Sequence, residues 1–232
     1  MSQKKRLVVF TGAGISADSG IRTFRDSGGL WEQYNIEDVA TFEAWVKNRD
    51  LVLSFYNERR KQILEAQPNA AHYFLAELQN HFDVQVITQN VDDLHERAGS
   101  KKVLHLHGEI MKARSSVDDT LIYNLGTKSI ANGDTCEKGS QLRPHIVWFG
   151  EPVPEMDNAN LLAAHADLFV VIGTSLNVYP AAGILNFVMP KTPKWLLDPG
   201  HFGDEYEKEL LHVKETAVKG VEQLRAELLK HL

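Results

Sequence analysis

The chain has 232 residues, 43% hydrophobic and 24% charged, enough to bury one substantial core and ordinary for a soluble globular protein. With 25 Lys plus Arg against 31 Asp plus Glu the formal charge is −6, which argues against an obligate nucleic-acid binder. Its single cysteine, Cys136, excludes an intramolecular disulfide and a four-cysteine zinc site, and apolar runs such as "LFVVIG" are too short to span a membrane, so a reducing cytoplasmic compartment is expected.

In chain order, strands are expected at "RLVVFTG" (6–12), "FDVQVITQN" (82–90), "KVLHLHG" (102–108), "PHIVWFG" (144–150), "DLFVVIGTS" (167–175) and "PKWLLD" (193–198). Most are near-continuous apolar runs, as buried parallel strands are. Helical patterns lie between them, at 48–66 with apolar Leu51, Phe55, Ile63 and Leu64, at 68–80 with Phe74, Leu75 and Leu78, and from Ala217 to Leu232. The alternation predicts an α/β fold, a doubly wound Rossmann-like parallel sheet built from 1–21, 67–110 and 144–232. Residues 22–66 and 111–143 break the rhythm and are expected to form a small second lobe from two insertions.

Chemistry-bearing residues gather at strand ends. After the first strand, "TGAGISADSGIRTFRD" sets Gly12, Gly14 and Ala17, with Ala13 between, in the G-x-G-x-x-A spacing that brings a pyrophosphate to backbone N–H groups. The acidic residue that clamps a ribose in dehydrogenases is missing from its place about 20 residues on. Asp198, closing "PKWLLD", is a later candidate. Gln89 and Asn90 end a second strand, and Gly173 ends another, followed by the hydroxyls of Thr174 and Ser175. In "VLHLHG" the alternation puts His105 and His107 on one side of a strand that stops at Gly108. Ligands in open α/β sheets collect beyond the carboxyl ends of strands, so His107 is expected to face a pocket and His105 to serve packing or solvation. Asp93 and His95 read as helix-start and surface residues.

"GAGISADSGIRTFR", "TQNVDDLHERAG", "LHG", "PHIVWFGE" and "GTSLNVYPAAG" stand in the order and spacing of the sirtuins, which the chain resembles from about residue 7 to 198. The resemblance implies an NAD-dependent protein-lysine deacylase that uses NAD as co-substrate and yields nicotinamide, free lysine and 2′-O-acyl-ADP-ribose. It implies that Asp92 hydrogen-bonds the nicotinamide carboxamide and that Asn90 and Gln89 line the ribose. Phe24 and Arg25 would lie over the ribose and phosphates as a lid. His107 would be the general base that draws a proton from a ribose hydroxyl, a task suited to an imidazole. Val147, Phe149, Gly150 and Glu151, together with Asn177, Val178 and Tyr179, resemble the two segments that clamp an acyl-lysine protein or peptide by strand addition. The resemblance thus implies Asn90, Asp92 and His107 as the catalytic set. A mono-ADP-ribosyltransferase and a non-catalytic ADP-ribose or acyl-lysine reader remain as alternatives. The expected partners are acylated proteins, with no nucleic acid and no membrane, and the chain is expected to be a monomer.

Two departures sharpen the expectation. Sirtuins commonly hold their small lobe with two Cys-x-x-Cys pairs, whereas here Ser115 stands near the first pair and only Cys136 remains of the second. A metal-free lobe is expected, packed by Leu121, Ile122, Tyr123, Leu125 and Ile130. Tyr56 and Arg59, three apart on one helical face, resemble the desuccinylase and demalonylase branch, in which a guanidinium and a phenol meet an acidic acyl group. Arg60 would point about 100° away from Arg59.

Overall fold

Near-continuous apolar runs become strands buried on both faces when helices cover the sheet. The computed structural model, which describes residues 4–21, 34–176, 179–201 and 210–232, has that architecture. Its strands are β1 (Arg6–Thr11), β2 (Asp83–Thr88), β3 (Val103–His105), β4 (Gly108–Ser115), β5 (Ile122–Asn124), β6 (Leu142–Ile146), β7 (Leu168–Ile172), β8 (Lys194–Leu197) and β9 (Leu211–Val213). Six form one parallel sheet in the order β3-β2-β1-β7-β8-β9. The chain runs outward from β1 in both directions, so the strand order reverses between β1 and β7, and folds of this kind bind ligands beyond the carboxyl ends of the strands at that point.

One sheet face, with Leu7, Val9, Val86, Val170 and Leu197, packs on Phe74, Leu75 and Leu78 of the helix Ala70–Leu78 and on Leu224 and Leu228 of the helix Ala217–Leu229. The other, with Val8, Phe10, Ile87, Phe169 and Val171, packs on Ala159 and Ala163 of the helix Met156–Ala164. Asn69 caps the helix Ala70–Leu78: its side chain accepts from Ala71 N–H, and His72 Nδ1 accepts from Asn69 N–H.

The remaining strands form a small antiparallel sheet, β5-β4-β6, which packs with Ile110, Ala113 and Ile146 against Val52, Phe55 and Ile63 of the helix Arg49–Glu65. This corrects the expectation for "PHIVWFG". With Pro144 and His145 in it and Arg143 before it, the segment does not suit the doubly buried parallel sheet; it pairs antiparallel with β4, so the boundary expected at 144 lies inside β6. Likewise "VLHLHG" is divided, His105 ending β3 and Gly108 opening β4. Strand β9 was not expected, being three residues with Leu211 nearly half exposed.

The helix Arg49–Glu65 buries Val52, Leu53, Phe55, Tyr56, Arg59, Arg60 and Ile63, a wider face than its apolar residues alone mark out. Arg60 is 2% exposed, because its Nε donates to Ile110 O (2.7 Å) and Nη1 to Asn57 Oδ1 (2.7 Å). Asn57 in turn exchanges two hydrogen bonds with the Ile130 backbone, Nδ2 to O at 2.9 Å and N–H to Oδ1 at 3.0 Å. These polar staples correct the expected apolar packing of the lobe: of Leu121, Ile122, Tyr123, Leu125 and Ile130, only Ile130 is buried. Cys136 lies with Ser115 and Ser140, the two hydroxyls 2.8 Å apart and Sγ 3.2 Å from Ser140 Oγ. Among the described residues no group of three or more His, Cys, Asp or Glu is placed to hold a metal, and no helix is long and apolar enough to cross a membrane.

Candidate active site

Four strand ends are tied into one floor. Gly14 N–H donates to Gly173 O (2.8 Å), joining the turn after β1 to the loop after β7. Gln89 Nε2 donates to Thr174 Oγ1 (3.0 Å), and Asn90 Nδ2 donates to Gly12 O (3.1 Å), tying in the end of β2. The next residues, His105 and His107, meet the carbonyls of Asn90 and Gln89 in turn. The glycines serve this closure first. A Cβ on Gly173 (φ +63°) would stand 2.3 Å from Ile15 N, and one on Gly14 would stand 2.8 Å from Gly173 Cα. Gly173→Ala should therefore cost more than Gly20→Ala, which shares a positive φ but has nothing within 4 Å. We expect a deficit of about 1–3 kcal/mol for Gly173→Ala beyond that control, read as a lower thermal midpoint; equal midpoints would contradict the close packing.

Two histidines on one edge have opposite electrostatics. His107 Nδ1 lies 3.0 Å from Gln89 O, and a carbonyl can only accept, so the proton sits on Nδ1 and Nε2 keeps its lone pair. Burial lowers the His107 pKa, with the Gln89 bond opposing, so the ring is neutral at pH 7. His105 faces acceptors on both nitrogens, Asn90 O at 3.0 Å and Glu96 Oε1 at 2.8 Å. Burial pushes its pKa down, but the Glu96 hydrogen bond and charge outweigh it and the net shift is upward. Acceptors on both nitrogens favour the doubly protonated ring, which braces the Asn90 backbone from beneath.

Asp92 is 4% exposed beside Asn90. Its Oδ2 accepts from Ser16 O–H (3.1 Å) and its Oδ1 from Leu94 N–H (3.2 Å). Burial raises its pKa, opposed by those donors and by the charges of His105 and Arg59. Asn90 Nδ2 also donates to Ser16 Oγ (3.2 Å), which makes Ser16 a shared partner of both residues. Ser16 was overlooked in the sequence, although it sits inside the glycine motif at 12–17. His95, expected at the surface, is fully buried, its Nε2 3.0 Å from Thr11 Oγ1. Its position on a four-residue helix, Leu94–Arg97, gave no periodicity from which burial could be read.

The other expected site residues divide. Ala13 is half-buried and its N–H has no acceptor among the described residues, while Ala17 and Ser175 are exposed. Asp198 follows β8 and accepts from Gly200 N–H (2.7 Å). Phe24, Arg25, Asn177 and Val178 lie outside the described residues. Val147 N–H donates to His107 O (3.0 Å), so the segment 147–151 hangs from the histidine's own backbone. Phe149, Gly150 and Tyr179 are exposed. Glu151 differs from a substrate contact in its side chain: both oxygens bond Arg143 (2.7 and 2.9 Å), and Oε2 also accepts from Trp148 N–H (2.8 Å). Arg143, overlooked in the sequence, stacks 3.4 Å above the centre of the Trp148 ring and shapes this segment from beneath.

Tyr56 and Arg59 are both buried, 6% and 5% exposed. Trp148 Nε1 donates to Tyr56 Oη (3.0 Å), which occupies the phenol oxygen as an acceptor and leaves its O–H to donate elsewhere. Burial lowers the Arg59 pKa to about 10, with Asp92 and Tyr56 opposing, so the guanidinium remains charged at pH 7. Its field acts on the same carboxylate that Ser16 holds.

Residues 12–180 match the Sir2 family. The chain is 50% identical over 230 residues to an NAD-dependent protein deacylase of Bacteroides thetaiotaomicron, covering 97% of this chain and 98% of that one. Among solved structures it is similar to a Sir2 homologue mutant in complex with ADP ribose, with a TM-score of 0.90, 36% identity, and 98% of this chain and 93% of that one covered. A Sir2–p53 peptide–NAD+ complex is similar at a TM-score of 0.79 and 29% identity, with 97% and 93% covered.

Proposed function

The chain belongs to the Sir2 family, and from that premise we propose that it is an NAD-dependent protein-lysine deacylase whose catalytic set is Asn90, Asp92 and His107. The observation that carries the reading is the His107 tautomer: with Nδ1–H held by Gln89 O, the free Nε2 is a neutral base. The donor set fits NAD: the Ala13 amide suits a phosphate oxygen, Thr174 and Ser175 add hydroxyls, and Asn90 and Asp92 are buried amide and carboxyl groups suited to a carboxamide and ribose. NAD supplies the ribose carbon whose bond to nicotinamide is broken and which receives the acyl oxygen. Asp92 orients the nicotinamide carboxamide, Asn90 and Gln89 hold the ribose, and His107 Nε2 takes a ribose hydroxyl proton. Exposed Phe149, Gly150 and Tyr179, beside half-buried Val147, would meet an acylated peptide, and the carboxylate of Glu151 supports that segment through Arg143.

Incubation with acetyl- and succinyl-lysine peptides and NAD separates this from the other readings. Deacylated peptide with acyl-ADP-ribose supports it; ADP-ribose left on protein would indicate a transferase, and ligand binding without turnover a reader. We further propose that acidic acyl groups are accepted through Tyr56 and Arg59, because a buried guanidinium beside a phenol offers a carboxylate the charge and hydrogen bond that an apolar tunnel lacks.

We also propose that the small lobe holds without zinc. One thiol and two hydroxyls, Cys136, Ser115 and Ser140, hydrogen-bonded to each other, are not a tetrahedral thiolate site. Desalted protein should carry no stoichiometric zinc and keep its activity in chelator. One zinc per chain, or activity lost on chelation, would contradict this.

A further inference from the structure

Beneath the floor of the site lies a buried imidazole with no assigned work. His72, the third residue of the helix Ala70–Leu78, is 0% exposed. Its Nδ1 accepts from Asn69 N–H (3.3 Å), so the ring proton must sit on Nε2. That nitrogen lies 3.4 Å from Ser16 Oγ, a long but directed contact. Ser16 has one proton to give. Because His72 Nε2–H and Asn90 Nδ2–H both donate to its oxygen, the hydroxyl proton is left for Asp92 Oδ2. Were the ring in its other tautomer, Nε2 would compete for that proton and Asp92 would lose its donor. Asn69 also ties the arrangement to the glycine turn, donating Nδ2 to Ile15 O (2.8 Å) and Ser19 Oγ (3.0 Å).

We propose that His72 is a positioning residue for the nicotinamide end of the site: its fixed tautomer orients the Ser16 hydroxyl, which in turn holds Asp92 and Asn90 in a single arrangement. This rests on the reading that Asp92 and Asn90 act on NAD. Burial supports it by lowering the His72 pKa to about 4, so the ring stays neutral and the Asn69 bond, which needs an unprotonated Nδ1, is not lost at working pH.

Two amide substitutions divide the two bonds of His72. In His72→Asn the side-chain oxygen reaches the Nδ1 position and keeps the Asn69 cap, but no donor reaches Ser16. In His72→Gln the amide nitrogen reaches the Nε2 position and keeps the donor, but the cap is lost. Leaving a buried hydroxyl misoriented should lower kcat for nicotinamide release in His72→Asn by about 5- to 150-fold, with the peptide KM unmoved and the thermal midpoint near the parent's. His72→Gln should recover most of that rate despite a lower midpoint. The opposite pattern, His72→Asn fast and His72→Gln slow in step with stability, would reduce His72 to a helix cap and overturn the proposal. Asp92→Asn is assayed alongside. If it is slow and His72→Asn is not, this inference falls while the site stands; if Asp92→Asn runs at the parent rate, the reading of the site itself falls.

Discussion

Replacing His107 with alanine is expected to lower kcat/KM on an acyl-lysine peptide by about 10²- to 10⁴-fold while NAD binds almost as before. The separation follows from where the contacts come from. The phosphate and ribose partners proposed above lie in the turn after β1 and the loops after β2 and β7, which are tied to one another without His107 side-chain atoms. Only the base is lost. The acid side of the pH profile supplies an independent check. A base works when unprotonated, and burial holds the His107 pKa below the ordinary imidazole value of about 6.5, so the midpoint of the acid-side fall in kcat/KM should lie below that of a free imidazole. Isothermal titration with NAD and steady-state rates across pH measure both. Parent-like turnover in the variant would remove His107 from the catalytic set.

Arg59→Met should lower kcat/KM on succinyl-lysine peptide by at least about 30-fold, and by as much as several thousand-fold, with acetyl-lysine activity held or raised. The range corresponds to about 2–5 kcal/mol for removing one side of a buried charge pair. Methionine keeps the length and apolar stem, so Phe55 and the neighbours on the helix Arg49–Glu65 lose little packing. The cation is what changes. A similar fall on both peptides would mean that Arg59 acts chiefly by holding Asp92, on which its charge already bears. A parent enzyme that prefers acetyl-lysine outright would leave the Tyr56–Arg59 pair without the role proposed for it.

Much of the parallel sheet was legible because apolar runs such as "RLVVF" and "LFVVI" are buried on both faces and so need no alternation to be recognised. The segment 144–150 misled because its apolar end, "IVWF", outweighed Pro144 and His145, and the antiparallel partner β4, which sets Ala113 opposite Pro144, is supplied only by the fold. Gly14, Asn90, His107 and Gly173 could be placed at strand ends from their order alone. The polar layer under them could not. Ser16 and His72 lie 56 positions apart in sequence, and nothing local marks a serine or histidine as buried until the helix Ala70–Leu78 is docked on β1. Arg60 and Arg143 were equally hidden, since an arginine reads as surface until its carbonyl or carboxylate acceptors are known.

The most direct test of the account is stoichiometric: nicotinamide, freed lysine and acyl-ADP-ribose counted together during turnover of an acylated peptide. The account predicts one of each per cycle, because the proposed catalytic set of Asn90, Asp92 and His107 would serve both the cleavage of NAD and the removal of the acyl group. Lysine freed without nicotinamide, or nicotinamide released while the peptide stays acylated and ADP-ribose appears on protein, would contradict it.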